Sequence, residues 1–277
     1  MSAIAKEAAG LPARATAIHL LSQVLRKAKP LDTQLESLAA LPPRDAGFAR
    51  AVASETLRRF GQLEAAIRVC VPKPLPPHKT GAAMEILLAG ACELLFLEVA
   101  PHAAVDAANR LAQKDAKAVH FKALINAVLR RLAREGKQIL AAQDAPRLNT
   151  PDWLWQSWCG AYGEDGARAI AEANGAQASL DIVLKNAGAV APEGEKLFGN
   201  VLRLGESARV EDLPGFADGE WWVQDAAATL PVHLLGEVRG QRVIELCAAP
   251  GGKTMQLAAA GANVTAVELE ARRLALI

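Results

Sequence analysis

Between Glu245 and Thr254 the chain reads E-L-C-A-A-P-G-G-K-T, a short apolar strand running into small residues and then into a helix-forming stretch. A turn of this kind leaves backbone N–H groups free at the helix start, and Gly251 and Gly252 let a ligand's polar end come close to them. Glu268 stands 16 residues beyond Gly252, at the end of the next apolar stretch, V-T-A-V-E. That is where an acid binds ribose hydroxyls in nucleotide-binding βαβ units, so the ligand is expected to contain a ribose.

Three ligands compete for such a loop. A phosphate-cradling loop needs G-x-x-x-x-G-K-[ST]; Gly252, Lys253 and Thr254 supply its end, but the first glycine falls on Cys247. The dinucleotide pattern G-x-G-x-x-G is missing from C-A-A-P-G-G. S-adenosylmethionine carries a ribose and no phosphates, and needs only the small-residue loop and the acid. A plain strand-to-helix turn explains one glycine but not the decapeptide.

The four cysteines, Cys70, Cys92, Cys159 and Cys247, are widely spaced and form no C-x-x-C pair, which argues against zinc and a disulfide framework and for a reducing cytoplasm. The tryptophans Trp153, Trp155, Trp158, Trp221 and Trp222 could stack on exposed bases, although core anchoring is the commoner role. His102 is read as a helix-entry residue. Arg58, Arg59, Arg130 and Arg131 are candidates for phosphate contact.

The elements that must position these residues fall into three textures. The first half repeats apolar residues at helical spacing, as in Ile18, Leu21, Val24 and Leu25 on a helix from about 13 to 28, and Phe121, Leu124, Ile125, Val128 and Leu132 later on. The prolines Pro72, Pro74, Pro76 and Pro77 form a loop between helices. A bundle of roughly six helices is expected over residues 1–145. From Asn149 a tryptophan-rich helix leads to L-D-I-V-L-K, read as a half-buried strand with Leu180, Ile182 and Leu184 inward, and to short apolar pieces at 201–204 and 221–223. That predicts a small α+β domain over 146–220. Residues 221–277 then open a βαβ unit of parallel-sheet type.

The 277 residues include 31 Lys and Arg against 30 Asp and Glu, yet residues 1–145 hold 20 basic against 13 acidic, an excess of 7. A polyanionic partner suits that half. The apolar run from Ile86 to Val99 contains Glu93 and Glu98 and is too short to span a bilayer, and the first residues lack the apolar core of a signal peptide. A cytoplasmic, non-membrane protein is expected.

The loop closely resembles the cofactor motif of the RNA cytosine-C5 methyltransferases of the Sun/Fmu (RsmB) family. L-P-G-F-A-D-G-E-W-W-V-Q-D-A-A-A, residues 213–228, is similar to the segment leading into that family's catalytic domain. P-P-R-D-A-G-F-A-R, C-E-L-L-F-L-E-V-A-P-H-A-A-V and L-I-N-A-V-L-R-R-L are similar to the NusB-type helical RNA-binding domain of its bacterial branch. The resemblance covers nearly the whole chain. It implies a multidomain protein: an all-α NusB-like bundle, a small α+β RNA-binding domain, and the start of an α/β Rossmann-like methyltransferase domain.

For the site, it implies that Cys247, Ala248, Ala249, Pro250, Gly251, Gly252 and Lys253 line the S-adenosylmethionine pocket and that Glu268 bonds the ribose, with Arg273 a weaker member. The family more often has Asp at the positions of Glu245 and Glu268. The implied partner is small-subunit ribosomal RNA, met by a monomer without a metal. The family's chemistry uses two cysteines, in a P-C and a T-C segment on later strands, and neither segment occurs before Ile277. The chain is therefore expected to be a C-terminally truncated methyltransferase, inactive by itself. The alternative is a non-catalytic NusB-type RNA-binding module acting in transcription antitermination or RNA processing.

Overall fold

The computed structural model describes residues 10–73, 75–205 and 209–277. Pro74 of the proline loop, and residues 1–9, on which the signal-peptide reading rests, lie outside the described residues. The chain divides into two compact units, residues 1–176 and 177–277.

The first unit is helical. It comprises α1 (Leu11–Lys27), α2 (Pro43–Arg58), α3 (Phe60–Cys70), the short α4 (Pro77–Thr80), α5 (Ala83–Leu95), α6 (Pro101–Lys114), α7 (Lys122–Ala141), the short α8 (Ala145–Leu148) and α9 (Asp152–Gly175). Prolines open several of these helices, where the missing N–H is no loss and φ is already helical. The run that reads as too short for a membrane is α5, the centre of the unit. Ile86, Leu87, Leu88, Ala89, Ala91 and Cys92 are all buried, and so are two of its acids, Glu85 and Glu93. No helix among the described residues is long and apolar enough to cross a membrane.

Close crossing of α5 and α7 depends on a missing side chain. A Cβ at Gly90 would stand 2.8 Å from Leu129 Cδ1, so the fully buried Leu129 sits where α5 has no side chain. The two buried acids each meet an arginine from α1. Arg14 donates to Glu93 through Nη2 at 2.6 Å and Nε at 2.9 Å, and Arg26 pairs with Glu85.

The expected boundary at residue 145 is not where the compact units part. Helix α9 lies wholly in the first unit, packed on α8, and is broken at Gly163, whose φ of 75° is non-helical.

The second unit holds two sheets. Strands β1 (Leu180–Leu184), β2 (Glu195–Phe198), β3 (Val201–Leu204) and β4 (Trp221–Val223) form an antiparallel sheet in the order β2-β3-β1-β4. Thus β4, read from sequence as the opening of the last domain, is hydrogen-bonded into this sheet, with Ile182 opposite Val223 and Leu184 opposite Trp221.

The expectation of a half-buried β1 is corrected here. Ile182 packs with Leu204 and Trp221 on one face, while Val183 packs with Val201, Trp222 and Ala226 on the other. Asp181, expected to face solvent, is 2% exposed. Its carboxylate accepts from Arg203 Nε at 2.8 Å and Nη2 at 2.9 Å and from the Ala226 amide at 3.1 Å, which satisfies a charge that burial would otherwise penalise.

The second sheet pairs β5 (Arg242–Leu246) in parallel with β6 (Asn263–Val267), joined through α11 (Gly252–Ala259). The preceding helix α10 (Ala226–Leu234), capped by Asp225, packs with α11 through Val232, Val238 and Leu257. A last turn, α12, covers Ala271–Leu274. Neither β2 nor α10 is anticipated by the sequence reading: β2 is short and carries two charges, and α10 contains Pro231.

Candidate functional site

The β5–α11 turn is built as its composition requires. Glu245 and Leu246 end β5 opposite Ala266 and Val267 of β6. The chain then turns through Cys247, whose φ of 58° is unusual for a residue with a side chain and marks a tightly constrained position. Ala248 donates its N–H to Val267 O at 3.0 Å, which ties the turn to the end of β6. Gly251, at φ 101°, caps α11 in a conformation that only glycine adopts freely, and its N–H closes the turn on Ala248 O at 2.8 Å. Gly252 is the first residue of the helix, so it, Lys253 and Thr254 carry the amides that lack a partner within α11.

Glu268 is brought onto this turn. Its Oε2 accepts from the Ala249 amide at 3.2 Å, and its Oε1 accepts from the amides of Leu269 at 3.0 Å and Glu270 at 3.3 Å. These amides, that of Glu270 foremost, together with Arg273 nearby, hold its carboxyl below the usual range, so it stays an anionic acceptor. Arg273 reaches the same turn and donates to Ala249 O at 3.1 Å. Arg273, a weaker candidate than the loop residues, is thus in direct contact with the loop.

The individual side chains divide by role. Ala248 and Ala249 are buried, so they present backbone rather than side chain, while Cys247 and Pro250 are exposed. Lys253 does not stand free over the helix start: its Nζ lies 3.9 Å from Glu245 Oε1, and Thr254 Oγ1 donates to the other oxygen of that carboxylate. A phosphate-binding lysine would need to be released from this pair, which weighs against a nucleoside triphosphate. The arrangement places amide donors at a helix start, an ionised acceptor and small side chains side by side.

A contact that sequence reasoning missed lies beneath Gly252. A Cβ there would fall 3.3 Å from the side chain of Gln224. Gln224 Nε2 donates to Gln256 Oε1 at 3.0 Å and its Oε1 accepts from Trp222 Nε1 at 2.7 Å, so buried amides join β4 to α11. Neither glutamine sits in a motif, and only the fold brings residues 224 and 256 together.

The other candidates separate clearly. Trp221 and Trp222 are buried anchors, Trp153 is 70% exposed, and the Trp155 ring lies beside the guanidiniums of Arg147 and Arg168 at 5.4 and 5.8 Å. Arg58 and Arg59 both pair with Glu55, and Arg131 pairs with Glu135 at 2.7 Å. Arg130 meets no carboxylate among the described residues and donates to Asn126 Oδ1 at 3.3 Å. Cys92 is fully buried and its thiol is pushed up to about 12, mainly by burial; burial also raises Cys70. Neither is a thiolate at neutral pH. Among the described residues no group of His, Cys, Asp and Glu is placed to hold a metal.

Residues 11–134 match the NusB family. Over 94% of its length the chain is 32% identical to ribosomal RNA small subunit methyltransferase B of Serratia proteamaculans (strain 568) and 34% identical to that of Pseudomonas putida (strain KT2440). It spans 64% of the length of each of these curated relatives. A crystal structure of PH0851 superposes on 96% of the chain with a TM-score of 0.60 and 16% identity, covers it with 65% of its own length, and supports the fold alone. The chain is therefore similar to ribosomal RNA small subunit methyltransferase B proteins over nearly its whole length, and its residues 11–134 match the NusB family.

Proposed function

We propose that the chain is part of an S-adenosylmethionine-dependent methyltransferase acting on cytosine C5 of small-subunit ribosomal RNA in the cytoplasm. In this reading residues 221–277 contribute the cofactor-binding start of a Rossmann-like domain, and residues 1–145 meet RNA. The observation that carries it is the pairing of Glu268 with the Ala249 amide beside a glycine-capped helix start. The donor set fits the cofactor: the ionised Glu268 carboxylate keeps lone pairs for ribose hydroxyls beside the three amides it already accepts from, Ala248 and Ala249 present backbone rather than bulky side chains, and the first α11 amides suit polar atoms without needing phosphate. Cys247, Pro250, Gly251, Gly252 and Lys253 complete the wall. Glu268 in place of the shorter acid shifts the ribose by about one methylene and keeps both hydrogen bonds.

The cofactor supplies an electrophilic methyl group on a sulfonium. What this chain contributes is its orientation. Methylation at C5 needs a thiolate that adds to C6, since C5 by itself is a poor nucleophile. Cys92 and Cys70 are held as thiols by burial, Cys159 lies in α9, and Cys247 belongs to the loop. We infer that the 277-residue chain, assayed alone, binds cofactor without turnover.

Calorimetric titration of the chain with S-adenosylmethionine and S-adenosylhomocysteine tests the reading. Micromolar binding, weakened at least tenfold in Glu268→Ala, is expected, a loss of about 1.4 kcal/mol or more. Binding of ATP or NAD in their place would overturn it.

A further inference from the structure

The first unit has a groove between α6 and α7, about 540 Å³ in volume, whose polar lining includes His102, Asp106, Asn109, Arg130 and Arg134. That volume accommodates one nucleotide. Arg130 and Arg134 stand one turn apart on α7, and His102 enters from the start of α6.

The groove's hydrogen bonding is incomplete. Asn109 Nδ2 donates to Asn126 Oδ1 at 3.0 Å, and Arg130 Nε donates to the same oxygen at 3.3 Å, which fixes the orientation of both amides. Asn109 Oδ1 is left buried and without a partner, a cost that a ligand donor would remove.

The charges have a definite sense. Arg134 Nη1 donates to Arg130 O at 3.3 Å and Nη2 lies 3.7 Å from Glu135 Oε1, so its 68%-exposed side chain is only loosely held. Arg130 has no acid beside it among the described residues. The groove's own acid, Asp106, lies 3.7 Å from Arg110. By contrast Arg58, Arg59 and Arg131 are all paired with glutamates.

We propose that this groove binds a single unpaired nucleotide of an RNA strand, its phosphates on Arg130 and Arg134 and a base N–H on Asn109 Oδ1, with His102 available to stack. Two cations suit phosphates, and an orphan amide acceptor suits a base edge, which only an unpaired nucleotide exposes fully. The proposal rests on the reading above only in taking RNA as the partner.

Fluorescence anisotropy with a short labelled single-stranded RNA of mixed sequence, and with the same RNA annealed to its complement, tests it on the full 277-residue chain. The single strand is expected to bind more tightly than the duplex. Arg130→Gln with Arg134→Gln should weaken it about tenfold and reduce the dependence of log K on log salt by about 0.7 per lost phosphate contact. Asn109→Ala should weaken it about fivefold at unchanged salt dependence, whereas Lys29→Ala and Lys79→Ala, outside the groove, leave it nearly unchanged. The arginines are exposed, so their replacement tests the groove even if Asn109→Ala fails to fold. Groove variants that bind like the parent would overturn the site while leaving the RNA reading intact. Equal binding of duplex, displacement by free cytidine monophosphate as effectively as by RNA, or no RNA binding at all would also overturn it. The cofactor titration is independent of each of these results.

Discussion

Glu93, in the helical unit, and Asp181, in the antiparallel sheet, are each 2% exposed and each paired with an arginine, yet their environments push them in opposite directions. At Glu93 burial dominates, and the carboxyl titrates above its usual value although Arg14 opposes the shift. At Asp181 the hydrogen bond from Arg203 dominates, with help from the Ala226 amide, and the carboxyl titrates below its usual value. The difference follows from how deeply protein surrounds each carboxyl, greater at Glu93 than at Asp181, and from the donors each element supplies. Glu93 lies on a helix whose amides are already used, and among the described residues its hydrogen bonds come from the Arg14 guanidinium, whereas Asp181 sits where a strand meets the start of α10 and receives a backbone donor as well. A closed helical core makes a buried acid expensive; a sheet-to-helix junction makes one useful.

The largest expected effect comes from breaking the costly pair. Arg14→Leu leaves Glu93 buried without its partner, and a loss of about 3–5 kcal/mol at neutral pH is expected in chemical denaturation followed by circular dichroism. The deficit should shrink toward acid pH. A carboxyl whose folded value is raised binds its proton more tightly when folded, so it costs least near and below 4.5 and progressively more as pH rises through its folded value. A loss that did not change with pH would contradict the account of Glu93.

Asp181→Asn should cost less, roughly 1–2 kcal/mol, because Arg203 is 41% exposed and solvent screens the pair. Its pH dependence has the opposite sense. The contribution of Asp181 is present above its unfolded value of about 3.8 and lost as pH falls through the lower folded value, so parent and variant should converge in acid. Convergence at high pH instead would mean that burial also dominates here.

A third effect tests the same contrast without mutation. Amide exchange should be slowest in α5 and α7, whose facing residues are fully buried, and orders of magnitude faster in β5 and β6, where Ile244 is 68% and Leu246 71% exposed. Equal protection in the two regions would show that one face of the β5–β6 pair is covered in solution.

Some of this was readable from residues and some was not. Periodicity placed α1 within two residues of its observed start, and the spacing of Gly251, Gly252 and Glu268 anticipated that they would meet at one turn. The alternation in L-D-I-V-L-K named a strand but misjudged its outer face, because the residues that bury it, Arg203, Trp222 and Ala226, are contributed from more than 20 residues away. Gln224 was invisible for the same reason. A loop's chemistry is local, while the support beneath it comes from distant pairing.

The smallest expected effect is also the most discriminating for the open β5–β6 face. Val243 and Val264 pack inward with Leu257, whereas Ile244, Leu246 and Val267 point the other way and are 68%, 71% and 43% exposed. A leucine that is mostly in water in the folded state loses little when a charge replaces it, so Leu246→Lys should change stability by no more than about 0.5 kcal/mol. The paired change Leu257→Ala, on the packed side of the same βαβ unit and 3% exposed, should cost about 2–3 kcal/mol. Comparable losses for both substitutions in urea denaturation would mean that the two faces are equally buried, and the contrast between the closed core and the open sheet would fail at the element that carries the candidate site.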